Sequence, residues 1–85
     1  MPGSSFTEKQ GQYLAFIYAY TEINSVPPAE ADLQRFFRVS PPTVHQMVKK
    51  LHTAGLISRT PQQARTLRIL VQPEELPVLR RPRRN

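Results

Sequence analysis

Hydrophobic side chains recur every three or four positions near the start of the chain, and this spacing predicts a first helix over residues 8–23. Thr7 and Gln10 have the spacing of a capping box, in which each side chain accepts a hydrogen bond from the other residue's backbone N–H. The predicted apolar face consists of Tyr13, Leu14, Ile17 and Tyr20, with Phe16 and Ile23 at its flank.

Two shorter helices are predicted downstream, over residues 29–37 and 41–54. Prolines disfavour helix in the residue before them, so residues 26–28 should be extended between the first two helices. Ser40 followed by Pro41 is typical of a helix start, and Gly55 of a left-handed residue that ends a helix. The apolar faces are Leu33, Phe36 and Phe37 in the second helix, and Val44, Met47, Val48 and Leu51 in the third. Glu30 and Asp32 should favour the positive end of the second helix dipole.

The periodicity changes after Gly55 to the alternation of strands, over residues 56–60 and 66–71, with a turn at residues 61–64. Helix, helix, helix and hairpin in this order predict a mainly α fold with a small β-hairpin. This is a winged helix-turn-helix, a three-helix bundle plus a wing, over residues 6–72. We expect residues 1–5 to be disordered and residues 73–85 to form a flexible basic tail.

Positive charge is concentrated in the middle of the chain. The net charge is +6, and residues 38–72 contain six bases and no acid. Neutralisation of phosphates supplies most non-specific affinity for nucleic acids, so this segregation favours a polyanion partner. A basic surface that merely faces solvent is the alternative interpretation.

The outer face of the third predicted helix carries the candidate DNA-binding residues, because this helix enters the major groove in such folds. Gln46 can pair with adenine, and Lys49 can reach guanine. We expect base contacts from Pro42, Thr43, His45, Gln46 and Lys49. We expect backbone contacts from Arg38, Ser40, Lys50, Thr53, Arg59, Arg65 and Arg68, with Arg65 nearest the wing tip. The Ser40 hydroxyl and the first backbone N–H groups of this helix could hold a phosphate.

Several other classes of site are not indicated by the sequence. The chain has no cysteine, and its three glycines form no phosphate-binding loop. His45 and His52 are seven positions apart and lack an evident third ligand, so we expect no metal site. No apolar run approaches the roughly 20 residues of a membrane span. We therefore expect no enzymatic activity, cofactor, small-molecule substrate or membrane partner. The expected location is cytoplasmic and nucleoid-associated.

Three segments of the sequence resemble the N-terminal DNA-binding domain of the LexA repressor family. They are Phe-Thr-Glu-Lys-Gln at residues 6–10, Ser-Pro-Pro-Thr-Val-His at residues 40–45, and residues 50–59 continued by residues 65–69. Some family members have Ser-Pro-Ser-Thr-Val-His at the second segment. The resemblance covers about residues 6–71 and implies that the operator is read by Ser40, Pro42, Thr43, His45 and Gln46. Pro42 has no side-chain donor, so a different operator preference is expected.

LexA repressors continue into a self-cleaving peptidase domain with a Ser-Lys dyad, which also dimerises them. This chain ends at Asn85, so we expect neither self-cleavage nor damage-responsive induction. For the oligomeric state on DNA, a monomer and a homodimer are both alternatives. The leading interpretation is a sequence-preferring double-stranded DNA-binding transcription regulator of the repressor type. The alternatives are a winged-helix module that binds an acidic protein and, third, a reader of RNA or unusual duplexes. The arginines of residues 80–84 could contact phosphates or simply favour solubility.

Overall fold

The computed structural model describes residues 5–82 as three helices, a short antiparallel hairpin and a 3₁₀ turn. The helices are α1 (Glu8–Asn24), α2 (Glu30–Phe37) and α3 (Pro41–Thr53), followed by strands β1 (Ile57–Ser58) and β2 (Arg68–Ile69) and the 3₁₀ turn Pro73–Glu75. This order confirms the predicted winged helix-turn-helix. Residues 1–4 and 83–85, which belong to the expected disordered start and basic tail, lie outside the described residues.

The ends of α1 and α3 follow from local chemistry. In the Thr7–Gln10 capping box, the Gln10 N–H donates to Thr7 Oγ1 at 3.0 Å and the Thr7 N–H donates to Gln10 Oε1 at 2.9 Å. Gly55 has a φ of 76°, and the N–H groups of Gly55 and Leu56 each donate at 3.0 Å, to the carbonyls of His52 and Leu51 respectively. This pair of bonds is a Schellman motif, which satisfies carbonyls that the last turn leaves free.

The core lies between the three helices and the base of the hairpin. Val44, Val48 and Leu51 are fully buried, which confirms most of the predicted apolar face of α3, while Met47 is half-buried. The remaining buried hydrophobic residues of this cluster are Tyr13, Leu14, Phe16, Ile17, Leu33, Leu56, Ile57, Leu67 and Val71. Ile23 is 79% exposed, contrary to its predicted place at the flank of the apolar face, and its neighbours Glu22 and Asn24 are exposed as well.

The hairpin is shorter than the alternating pattern predicts. Its ladder consists of the pairs Ile57–Ile69 and Ser58–Arg68. The Thr66 hydroxyl replaces further ladder bonds, since it accepts from the Thr60 N–H at 2.9 Å and lies 3.3 Å from the Thr60 carbonyl oxygen. Gln62 and Arg65 both have positive φ, so the backbone between the strands cannot extend as a regular ladder. We call residues 59–67 the wing.

The segment after the hairpin packs along α1, where the sequence predicted a flexible tail from residue 73. Leu76, Pro77 and Leu79 lie beside Ala15 and Ala19, whose small side chains leave room for them. The Gln12 side chain donates to the Val78 carbonyl and accepts from the Arg80 N–H, both at 2.8 Å. Among residues 5–82, no helix is long and apolar enough to cross a membrane.

Candidate nucleic-acid interface

The outer face of α3 is open to solvent along its whole length. The five predicted base-reading residues are all exposed, and so are Lys50 and Thr53. Burial of Val44, Val48 and Leu51 fixes the rotation of the helix about its axis, and that rotation turns the polar side chains outward. The predicted residues of α3 are therefore brought together on one surface.

Two concave regions flank this face of α3. One is a wing cleft of about 440 Å³ between the start of α2, α3 and the wing, and its lining includes Glu30, His45, Arg59 and Arg65. The other is an α1 groove of about 400 Å³, lined by Gln10, Gln46, Lys49, Lys50, Thr53 and Ala54. Glu30 is the one carboxylate among the described residues that line these two regions.

The start of α3 presents hydroxyl groups rather than backbone amides. Pro41 and Pro42 have no N–H, and the Thr43 N–H donates to Ser40 Oγ at 3.4 Å. The expectation that the first backbone N–H groups of this helix could hold a phosphate is therefore wrong. Ser40 Oγ and Thr43 Oγ1 lie 2.9 Å apart and share one hydrogen, so the other hydroxyl proton can still be donated to an anion.

The wing cleft pairs a candidate base-reading residue with an acid. His45 Nδ1 lies 3.6 Å from Glu30 Oε1, and both side chains are partly exposed. Nδ1 is thus the ring nitrogen that lies beside the carboxylate of Glu30. From the sequence, Glu30 was assigned only to the dipole of α2.

Arg65, predicted from the sequence as a DNA-backbone contact near the wing tip, makes three hydrogen bonds within the fold. Its Nη1 donates to the Tyr20 hydroxyl at 3.1 Å, to Asp32 Oδ2 at 3.2 Å and to the Pro27 carbonyl at 3.4 Å. These acceptors come from α1, from the connection after it and from α2. The guanidinium therefore turns back towards the helices and neutralises a carboxylate, although the side chain stays 46% exposed.

The other predicted backbone-contacting arginines differ in their position. Arg59 is half-buried at the wing cleft. Arg68 is exposed in a shallow depression beside Tyr18 and Thr21 of α1. Arg38, which follows α2 in a left-handed conformation with a φ of 58°, is exposed and lines neither concave region. The structure thus brings only Arg59 and Arg65 of these four arginines to the α3 surface.

Asp32 is ionised and buried. Burial alone would raise its pKa, but the hydrogen bond from the Ala29 N–H and the charges of Arg65 and Arg35 together outweigh burial and lower the pKa below its ordinary value. Its side chain is only 8% exposed, so its partners rather than water balance its charge.

Sequence reasoning missed several polar residues of the two concave regions. Gln10 was assigned only to the capping box, yet it also lines the α1 groove. Thr60, Gln62 and Gln63 line the wing cleft, and their position in a polar turn between two strands was the available signal.

The chain is similar to LexA repressors from several bacteria. It is 32% identical over 82 residues to the one from Magnetococcus marinus, and the aligned region covers 95% of this chain and 36% of that protein. The repressor from Thermosipho melanesiensis is 31% identical over 70 residues, covering 82% of this chain and 35% of that protein. For the one from Carboxydothermus hydrogenoformans the identity is 32% over 79 residues, with 89% of this chain and 39% of that protein covered. The chain thus spans about a third of the length of these relatives.

A family described as "Iron dependent repressor, N-terminal DNA binding domain" matches residues 5–64, from the residue before Phe6 to the wing. The description names iron, but residues 5–82 contain no group of three His, Cys, Asp or Glu side chains placed to hold an ion. This part of the chain therefore does not fit an iron site. With more than half of its residues matched, the chain belongs to this family of repressor N-terminal DNA-binding domains.

Proposed function

We propose that the chain binds double-stranded DNA in a sequence-preferring manner as the operator-reading domain of a transcription repressor, with α3 in the major groove and the wing against the neighbouring backbone. The observation that carries this proposal is the exposed polar face of α3, which carries the basic side chains Lys49 and Lys50 and is flanked by two concave regions. An α-helix with its side chains is about 10–12 Å across, and the major groove is about 12 Å wide, so α3 can enter the groove.

Base contacts are proposed for the exposed residues of α3. Gln46 has both a donor and an acceptor, as a bidentate contact with adenine requires, and Lys49 can donate to guanine. Thr43 can meet a thymine methyl group or donate a hydrogen bond. His45 would present Nε2 to a base edge, because Nδ1 lies beside Glu30.

Phosphate contacts are proposed on both sides of α3. On one side Lys50 and Thr53 share the α1 groove with Gln10, and on the other Arg59 lies at the wing cleft. The pair of hydroxyls of Ser40 and Thr43 supplies a donor at the start of the helix. Arg38 and Arg68 lie outside these regions, so they are proposed to contact phosphates only at the margins of the interface.

The role of repressor is supported by the similar proteins, which are LexA repressors, and by the description of the family. Peptidase activity and dimerisation are not part of this proposal.

Titration of a fluorescent random-sequence duplex at several salt concentrations tests the proposal first. Affinity should fall steeply as salt rises, because bound phosphates release counterions, and selection from a random pool should then yield a preferred sequence. Absence of binding even at low salt would overturn the proposal and leave an acidic protein partner to be sought.

Two substitutions separate base contacts from phosphate contacts. Gln46→Ala should cost about 1–3 kcal/mol on the selected sequence and little on random duplex. Lys50→Gln should weaken binding to both and reduce the salt slope by about 1. Lys9→Gln is the charge-matched comparison, since Lys9 is exposed on α1 and lines neither concave region. Lys9 lies beside Arg80 and Arg81, so its substitution should cost less affinity than Lys50→Gln rather than none. Equal losses on both duplexes for Gln46→Ala would contradict its assignment to a base.

A further inference from the structure

We infer that Asp32 and Arg65 form a latch that sets the position of the wing relative to α3, so that Arg65 acts on DNA binding through the wing and not by contact with DNA. This inference rests on the proposed function, because the position of the wing is expected to change the affinity for DNA. Neither residue was assigned such a role from the sequence, where Arg65 was a phosphate contact and Asp32 a dipole partner.

The wing needs an attachment beyond its own hairpin. Its ladder contains two residues per strand, and a two-stranded hairpin is marginally stable by itself. The bonds between Thr60, Gln63 and Thr66 stay inside the wing, so they shape the loop without fixing it to the helices. Leu67 is buried and anchors only the base of the wing.

Arg65 supplies this attachment. Among residues 5–82, the hydrogen bonds that join residues 59–66 to the helices and to the connection between them are those of the Arg65 guanidinium. Arg65 also has a φ of 61°, a left-handed backbone conformation that is uncommon for a residue other than glycine. One side chain therefore ties the wing to three acceptors in three different parts of the fold.

Asp32 gives the attachment its strength. The carboxylate is buried and accepts from the Ala29 N–H at 2.8 Å as well as from Arg35 and Arg65. Removal of Arg65 takes away one of the two positive charges that compensate this buried carboxylate, and leaves Arg35 and the Ala29 N–H as its partners. The lowered pKa of Asp32 agrees with a carboxylate stabilised by these partners.

A latch and a direct phosphate contact predict opposite effects for Asp32→Asn. If Arg65 contacted a phosphate, removal of the nearby negative charge would strengthen DNA binding or leave it unchanged. If Arg65 acts as a latch, the same change loosens the wing and weakens binding. An Asn oxygen in the place of Oδ2 can still accept from the Ala29 N–H and from Arg65, so the start of α2 keeps its cap and the change removes the negative charge that holds Arg65.

Amide hydrogen exchange on the full chain tests the latch without DNA. Asp32→Asn and Arg65→Gln should each speed exchange at Thr60 and Gln63, whose N–H groups are hydrogen-bonded in the wing, while exchange in α3 stays unchanged. Arg35→Gln is the matched control, because Arg35 pairs with the same carboxylate but is exposed on α2 and makes no wing contact. Unchanged wing exchange in Arg65→Gln would overturn the inference, even if Asp32→Asn failed to fold.

Binding to a short random-sequence duplex completes the test. Each single variant should lose several-fold in affinity, and the double variant should lose no more than the larger single loss, because both changes open one latch. A loss for Arg65→Gln with no loss, or a gain, for Asp32→Asn would overturn the inference and make Arg65 a direct contact. If the unsubstituted chain does not bind the duplex, the proposed function fails, while the exchange rates still decide whether the latch exists.

Discussion

Pro77 rests directly on Gly11, with its Cγ atom 3.0 Å from the point where a Cβ atom of residue 11 would lie. The same point is 3.0 Å from the ring of Phe6. A side chain at position 11 would thus push against both rings. Because glycine has no side chain, the segment after the hairpin can lie on α1.

Gly11→Ala should therefore loosen this segment. We expect faster exchange of the Arg80 N–H, which donates to Gln12 Oε1, because Pro77 must move outward. The melting temperature should change little, since alanine gains about 1 kcal/mol over glycine within a helix and offsets the lost packing. Gln12→Ala is the companion variant, as it removes the hydrogen bonds of the segment without changing Gly11. Unchanged exchange at Arg80 in Gly11→Ala would contradict the expected displacement.

Gly55→Ala should destabilise the chain through its backbone alone. The φ of 76° is unfavourable for alanine by about 1–2 kcal/mol, and among residues 5–82 no atom beyond the two chain neighbours lies within 4 Å of the added Cβ. Urea denaturation should show a loss of this size, and Gly55→Asn should lose less, because asparagine tolerates the left-handed region better. Equal losses for the two variants would point to a steric cause that the structure does not contain.

The free energy of unfolding should depend on pH at acid values because of Asp32. Its pKa is lowered in the folded state, so its contribution is present above the unfolded value of about 3.9 and is lost as the pH falls through the folded pKa. The stability difference between the unsubstituted chain and Asp32→Asn should thus be largest near neutral pH and shrink below about pH 4. Urea denaturation across this range measures it, with Glu22→Gln at an exposed carboxyl as control. A difference that stays constant down to acid pH would contradict the prediction.

The arginines at the end of the chain are predicted to add phosphate contacts. Arg80 and Arg81 are exposed and lie beside Glu8, Lys9 and Gln12 at the start of α1. Deletion of residues 80–85 should weaken binding to all DNA sequences alike and make the salt dependence less steep. An unchanged salt slope after deletion would instead assign these arginines to solubility. Gln12→Ala retains every arginine, so it reports separately on their position.

Local chemistry in the sequence predicted the helices and most of their faces. The capping box at Thr7 and Gln10, the start at Ser40 and the end at Gly55 depend on bonds within a few residues and on intrinsic backbone preference, so they can be identified without a fold. The exposed face of α3 follows from the spacing of Val44, Val48 and Leu51, because a helix that buries one side must expose the other.

Only the tertiary structure decided where Arg65 and the residues after the hairpin lie. Arg65 meets Asp32 from 33 positions away, and Gln12 holds Val78 from 66 positions away. No local preference specifies such pairs, because they form only after the chain has brought distant segments together. The small residues Gly11, Ala15 and Ala19 on one side of α1 were the available signal for the docked segment, since their spacing leaves a groove. The sequence alone thus determined the three helices and the basic face of α3, while long-range packing determined the extent of the hairpin, the position of the segment after it and which charges remain free to meet DNA.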